Sequence, residues 1–337
     1  MQDATMRDSK AVTRSRMSVP KGFVTVTVST IALFLLSTAI APSSVSQGAL
    51  LGMLPFAAVL AIVGLGQMLV VQQGGIDLSI PGAVSLAIVV VSRVPNGDDS
   101  VLVPAIFLAV LFAIGAGLVN GLLVGRLGLN SIIATLGTNA LLFGAVLGIS
   151  GGSPRRTTDL LASIAGGVSA GIPNSVFFAI GTLVVVALLL KRTASGRRFE
   201  ATGANPNTAL VAGLRVKLQQ TAAYVWAQLL YCLAGILLAG ITAQPTAFQG
   251  NSYLLPAVAV VVLGGTSLLG GRGFPISTVV AALFLSQLDQ FVLALGVPYA
   301  VRTLLQAAAL AAGVAVYTID WAAVRQRFSR RQPAQVA

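Results

Sequence analysis

Histidine is missing from all 337 residues, and cysteine occurs once, at Cys232. Zinc centres with imidazole ligands and Ser-His-Asp relays are therefore excluded in their usual forms. A single cysteine inside an apolar run supports neither a disulfide framework nor a thiolate metal site. Charged residues make up only 9% of the chain, against roughly 25% in a soluble domain. Aromatics reach 6% and do not interleave with basic clusters, so the net charge of +12 does not read as a nucleic-acid surface. The four lysines follow Ser9, Pro20, Leu190 and Val216, so no Gly-Lys pair and no Walker A loop exists. ATP hydrolysis by that route is excluded.

What remains is 56% hydrophobic with 36 glycines. A chain this long with so little polar surface has the lipid bilayer as its solvent. A spanning helix needs about 20 mostly apolar residues. That ruler yields ten spans, near 22–41, 49–72, 76–94, 101–126, 131–149, 173–190, 216–241, 253–270, 274–295 and 299–320. "VTVTVST" (Val24 to Thr30) alternates like a strand. A lone strand cannot satisfy its backbone in lipid, so helix is expected there. The first span follows Arg7, Lys10, Arg14, Arg16 and Lys21, and "AIA" (Ala39 to Ala41) resembles a signal-peptidase site. Its apolar stretch exceeds the roughly 7–15 residues of a signal h-region, which favours a retained anchor.

Charge orients the spans. With ten crossings both termini share a side. On it fall the five N-terminal cations, Arg126, then Lys191, Arg192, Arg197, Arg198, Arg215 and Lys217, then Arg272, and last Arg325, Arg327, Arg330 and Arg331. These are 17 of the 21 Lys and Arg. Arg93, Arg155, Arg156 and Arg302 fall opposite. Positive loops stay cytoplasmic, so both ends are expected inside. The division is a basic tail over 1–21, a transmembrane domain over 22–320 with a loop at 191–215, and a basic tail over 321–337.

Several local patterns carry more. Gly117, Gly121 and Gly125 recur every four residues and make one smooth helix face for close packing. The long loop "KRTASGRRFEATGANPNTALVAGLRVK" holds a short partly apolar segment, with Asn205 as a candidate N-cap, Pro206 in the first turn and Gly213 at the end. A two-turn helix exposing Leu210 and Val211 is either an ordinary connector or a docking element for a cytoplasmic partner. Polar residues within spans are Gln67, Asn120, Thr135, Thr138, Asn139, Gln228, Gln287, Asp289, Gln290 and Gln306. Neutral ones more often join helices than line a path. "SQLDQ" (Ser286 to Gln290) clusters enough polarity for a path or gate.

Four stretches in register resemble the permease subunit of ribose-type sugar ABC importers: "GGIDLS" (Gly74 to Ser79), "NGLLVGRLGLNSIIATLGT" (Asn120 to Thr138), "GANPNTALVAGL" (Gly203 to Leu214) and "AVVVLGGTSLLGGRG" (Ala259 to Gly273). The resemblance runs from the second span to the tenth. It implies an all-α membrane protein with the ten-span fold of vitamin-B12-type (type II) importers. It also implies a second permease copy or close paralogue, two cytoplasmic ATPase subunits that bind the ATP and magnesium, and an extracytoplasmic substrate-binding protein. No cofactor belongs to this chain, which is not itself an enzyme, and its place is the bacterial cytoplasmic membrane.

On this resemblance Gly196, Arg197, Arg198, Glu200, Gly203, Asn205, Pro206, Leu210, Val211 and Gly213 form the segment that couples to the ATPase. Such permeases often carry acidic residues and an arginine where this chain has Pro206, Asn207 and Leu210, so its docking leans on shape and apolar burial. Gln67, Asp77, Asn120, Asn139, Gln287, Asp289 and Gln290 are pathway or gate candidates. Arg155 and Arg156, in an external loop, are candidates to meet the binding protein. Asp77 sits between Gly74-Gly75 and Pro81-Gly82, in a break tolerated at membrane depth only where it is buried in protein or lines a cavity. There it is expected to cap the following helix. A small sugar or polyol is the expected solute. The alternatives are a nucleoside or branched-chain amino acid, or an ion-coupled secondary transporter or channel that works without an ATPase. For an intramembrane enzyme there is no nucleophile–base pair or metal cluster in support.

Overall fold

The computed structural model describes residues 21–153, 155–298, 300, 301, 303–305, 307, 308 and 311. The chain termini and most of the tenth expected span lie outside the described residues. The described fold is helical, apart from a hairpin of two short strands, Val168–Ser169 and Ile172–Pro173. Among the described residues, seven helical segments are long and apolar enough to cross a membrane. They contain α1 (Lys21–Ile40), α2 (Gln47–Gln72), α4 (Leu102–Gly121), α5 (Ser131–Ser150), α7 (Asn174–Arg192), α10 (Val216–Thr242) and α12 (Pro275–Ala294). Two apolar helices are shorter, α3 (Ile80–Arg93) and α11 (Leu254–Leu263). Outside these lie α6 (Asp159–Gly166), α8 (Ala194–Ala204) and α9 (Pro206–Val211).

The expected third span, 76–94, is corrected at its start: the chain is not helical from Gly75 to Ser79 and the helix begins at Ile80. Likewise the expected span 253–270 ends at Leu263. Before α3, side chains of α2 and α5 take up the freed backbone groups; after α11 the loop is held by backbone bonds, among them Gly271 N–H to Gln72 O at 3.0 Å. The Thr-Val alternation is helical, within α1. Within it Thr30 Oγ1 bonds back one turn to Val26 O at 2.7 Å, which satisfies that hydroxyl in an apolar setting.

Burial sorts the helices into layers. In α2 and α10, 61% of the apolar window is buried, against 22% in α1 and α7 and 28% in α5. Helix α3 is enclosed from Ile80 to Ser92. At 14 residues it is roughly 21 Å long at 1.5 Å per residue, short of a roughly 30 Å hydrocarbon core. Thus α2, α3 and α10 form the centre and the rest surround it. Helix α1 is tied into this body: buried Gln287 of α12 donates from Nε2 to Ser37 Oγ at 3.0 Å.

The glycine face of α4 packs on α10. A Cβ added at Gly117 would lie 2.6 Å from Val225 Cα, and one at Gly121 would lie 2.7 Å from Thr221 Cγ2 and 2.8 Å from Thr221 Cα. The closeness lets Thr221 Oγ1 donate across the interface to Gly121 O at 2.9 Å. The helix then loosens into one π-type turn, Leu122–Arg126. Gly121→Val is expected to destabilise the protein by about 1–3 kcal/mol through overpacking. Gly115→Ala faces open space and should cause no loss. Reversible SDS unfolding of the two purified variants checks the contrast.

Candidate functional site

Helix α2 ends in two turns that bring the backbone to Gly74, whose φ of +80° is a conformation only glycine adopts freely. Next, Gly75 passes so close to α10 that a Cβ there would sit 2.5 Å from the Tyr224 hydroxyl oxygen. The extended run that follows has no ladder partner, yet its donors are satisfied. The amides of Gln73, Gly74 and Gly75 donate back to Val70 and Val71 carbonyls. Ile76 N–H donates to Ser131 Oγ at 3.2 Å, Asp77 N–H to Gln67 Oε1 at 3.3 Å and Leu78 N–H to Thr135 Oγ1 at 2.9 Å. Ser79 N–H donates to Asp77 Oδ1 at 2.8 Å. Beyond the helix start, Gly82 N–H donates to Asn139 Oδ1 at 2.8 Å.

Three of these acceptors, Ser131, Thr135 and Asn139, stand four residues apart on one face of α5. A helix face thus does what a neighbouring strand would do elsewhere. Asp77 serves the turn before α3, while the first turn of α3 is served by Asn139; the expectation that Asp77 caps that helix is corrected to this extent. Oδ1 of Asp77 takes both the amide and the hydroxyl of Ser79.

Around Asp77 the polar side chains close into one buried network. Ser79 Oγ donates to Asp77 Oδ1 at 2.5 Å and accepts from Gln228 Nε2 at 2.7 Å and Asn120 Nδ2 at 3.0 Å. Gln228 Nε2 also lies 3.2 Å from Asp77 Oδ2, and Tyr231 donates to Gln67 Oε1 at 3.1 Å. Gln67, Asp77, Ser79, Asn120, Gln228 and Tyr231 are all at 0% exposure. Nε2 of Gln67, Oδ1 of Asn120 and Oε1 of Gln228 have no protein partner, so the network holds hydrogen-bonding capacity in reserve.

The fold therefore unites Gln67, Asp77 and Asn120, and it places Asn139 at the first turn of α3. It does not bring Gln287 to them: that amide goes to Ser37 of α1. Asp289 and Gln290 are half-buried near the far end of α12. Arg156 pairs with Asp159 at 2.7 Å, and Arg155 donates to Asn96 Oδ1 at 3.2 Å, both on exposed loops. Ser79, Tyr231 and Ser131 were not among the expected site residues. The four-residue spacing Ser131, Thr135, Asn139 and the Gln228–Tyr231 pair one turn apart were the signals that could have found them.

At the same end of α2 the segment 194–213 is joined to the break. Gln73 Nε2 donates to Phe199 O at 2.9 Å, and Gly271 N–H donates to Gln72 O at 3.0 Å. A Cβ at Gly203 would lie 2.1 Å from Gln72 O, so α8 rests directly on the backbone of α2. Glu200 pairs with Arg272 at 3.3 Å. Gly196 crosses the end of α7 with comparable closeness, while Arg197 and Arg198 are exposed. Asn205 then caps α9, accepting Thr208 N–H at 3.0 Å, with Pro206 in its first turn. Gly213 (φ +79°) closes α9: its N–H goes to Leu210 O and that of Leu214 to Ala209 O. This paired closure is the Schellman pattern. Leu210 is 64% and Val211 90% exposed.

The buried polar break is thus tied to an exposed apolar helix, and comparison with known proteins bears on what this chain is. Residues 49–314 match the family described as branched-chain amino acid transport system / permease component. The chain belongs to this permease family. It is 34% identical over 263 residues to the probable ABC transporter permease protein y4mJ of Sinorhizobium fredii, covering 76% of this chain and 77% of the relative. It is 35% identical over 262 residues to the ribose import permease protein RbsC of Bacillus subtilis, covering 76% and 80%. With the autoinducer 2 import system permease protein LsrC of Yersinia enterocolitica it shares 32% identity over 243 residues, 72% and 67% of the two chains. No solved structure matches the chain. The permease is a multi-pass membrane protein whose matched region begins in α2 and takes in the break, the polar network and α8–α9.

Ser79 is the hub, and Asn120 Nδ2 has no other partner. Ser79→Ala is expected to leave that donor buried and unpaired, lowering stability by about 1–3 kcal/mol. Thr138 bonds only to its own helix, at Ala134 O, so Thr138→Ala should fall below about 1 kcal/mol. Parallel SDS titrations of the purified permease compare the two.

Proposed function

We propose that the permease is the membrane subunit of an ATP-driven, binding-protein-dependent importer, and that it moves a small sugar or polyol inward by alternating access. The relatives named for ribose import support a sugar-class solute. The observation that carries the mechanism is the direct seating of α8 on the end of α2 through Gln72, Gln73 and Gly203. A push on the exposed Leu210–Val211 face of α9 is delivered through α8 to the backbone that leads into the Gly74–Ser79 break. On this reading the break acts as the inner hinge or gate, and the spare amide atoms of Gln67, Asn120 and Gln228 allow its network to re-pair between two states.

In the proposed assembly ten spans per subunit adopt the type II importer arrangement in the cytoplasmic membrane, with both termini inside. A partner ATPase binds ATP and magnesium and receives α9, and an external binding protein meets Arg155 and Arg156. A second copy or close paralogue completes the pore. The outer face of α5 suits that neighbour: Gly137, Gly144 and Gly148 look onto open space, beside exposed Ile133, Leu136 and Leu141. Asp289 and Gln290 remain candidates for the solute path.

The reading is tested in the assembled complex. Leu210→Asp with Val211→Asp places two carboxylates in an apolar contact whose core residues each contribute about 2 kcal/mol or more. Substrate-stimulated ATPase activity is expected to drop at least about tenfold, with the permease still folded. Unchanged stimulation would remove the docking role of α9. Accumulation of solute by the permease alone, driven by a proton or sodium gradient, would replace the whole scheme with ion-coupled transport.

A further inference from the structure

Beside α8 the surface opens into a groove of about 340 Å³ between α7 and α10, within the roughly 300–1,000 Å³ of small-ligand sites. Its walls are apolar, with Val185 and Leu189 on one side, Trp226 and Leu230 on the other, and Leu69 among its lining residues. Apart from Thr182 at the deep end, polar side chains occur only at the mouth, as Thr193, Ser195 and Gln219. From Thr182 to Thr193 the groove follows eleven residues of chain, roughly 16 Å at 1.5 Å each, about half of a roughly 30 Å hydrocarbon core. It is one leaflet deep.

The mouth is also collared by positive charge. Lys191, Arg192, Arg197 and Arg198 flank Thr193 to Gly196 in the chain and are exposed. Among the described residues none of the four forms an ion pair. An apolar slot with a polar mouth and a cationic collar matches an anionic phospholipid, tail in the groove and headgroup at the collar. A second copy of the chain is disfavoured there, because a symmetric contact would set the same cations against each other. We infer that this groove is a binding site for an anionic phospholipid of the leaflet on the cationic side. The bound tail would lie against Phe199 and Gly196, residues of the α8 that rests on α2. Only the naming of that leaflet as cytoplasmic rests on the orientation proposed above; lipid binding itself needs no ATPase.

The chain has two tryptophans, so Trp321→Phe leaves Trp226 as the sole indole, a reporter inside the groove. This full-length variant is reconstituted in phosphatidylcholine vesicles containing, at equal mole fraction, brominated phosphatidylglycerol or brominated phosphatidylcholine. Brominated phosphatidylglycerol is expected to quench Trp226 several-fold more efficiently. Replacing Lys191, Arg192, Arg197 and Arg198 with Gln should abolish the preference, with helix content checked by circular dichroism. Val185→Phe with Leu189→Phe should remove the enhanced quenching by filling the slot. Equal quenching by the two lipids in the Trp321→Phe chain, or none by either, as when a second copy covers the groove, would overturn the inference.

Discussion

Seven consecutive backbone N–H groups, Gln73 to Ser79, leave the regular helix, and from Gly75 on the run alternates between buried and partly buried residues in a largely apolar body. An unsatisfied donor there carries a penalty comparable to a lost hydrogen bond or more, so each must meet an acceptor supplied by the protein. That requirement dictates much of the rest. The polar row Ser131–Thr135–Asn139 has to face the extended segment, which sets the rotation of α5. Gln67 has to turn inward from α2. Tyr224 has to pass where Gly75 has no side chain, which fixes the depth of α10 against the break. The glycine face of α4 then brings Asn120 within reach of Ser79.

An arrangement of this kind is stiff and yet divisible. Its members belong to α2, α4, α5 and α10 and are held by side-chain hydrogen bonds, so the break moves only if bonds are exchanged together. Partnerless amide atoms within the same network give such an exchange somewhere to go. Close by, α8 contacts the last residues of α2 with no side chain at Gly203 to cushion it. Leu210, α8, Gln72 and Asp77 thus follow one another along a short, closely packed path.

Peripheral helices answer to a different rule. In α1, α5 and α7 most of the apolar surface is left outside the described body, as expected where lipid or a neighbouring subunit supplies the environment. The groove between α7 and α10 opens onto that outer surface beside α8. Exposure of large apolar side chains here is a property of the solvent for which the chain is made.

Sequence by itself determined that this is a helical membrane protein, that α4 has a face for close packing, that α9 is capped by Asn205 and closed by Gly213, and that the chain breaks after Gly74. Each of these is local: an apolar run, a four-residue glycine period, a cap and a positive φ are written within a turn or two of chain. Tertiary structure alone decided that Asp77 joins Gln67, Ser79, Asn120 and Gln228, that Asn139 rather than Asp77 serves the first turn of α3, and that Gln287 belongs to α1. Those pairings link residues up to 250 positions apart. A polar residue in an apolar span announces that it needs a partner, but which partner it gets depends on how the helices rotate and how deep they sit, and that is set by packing the whole bundle at once.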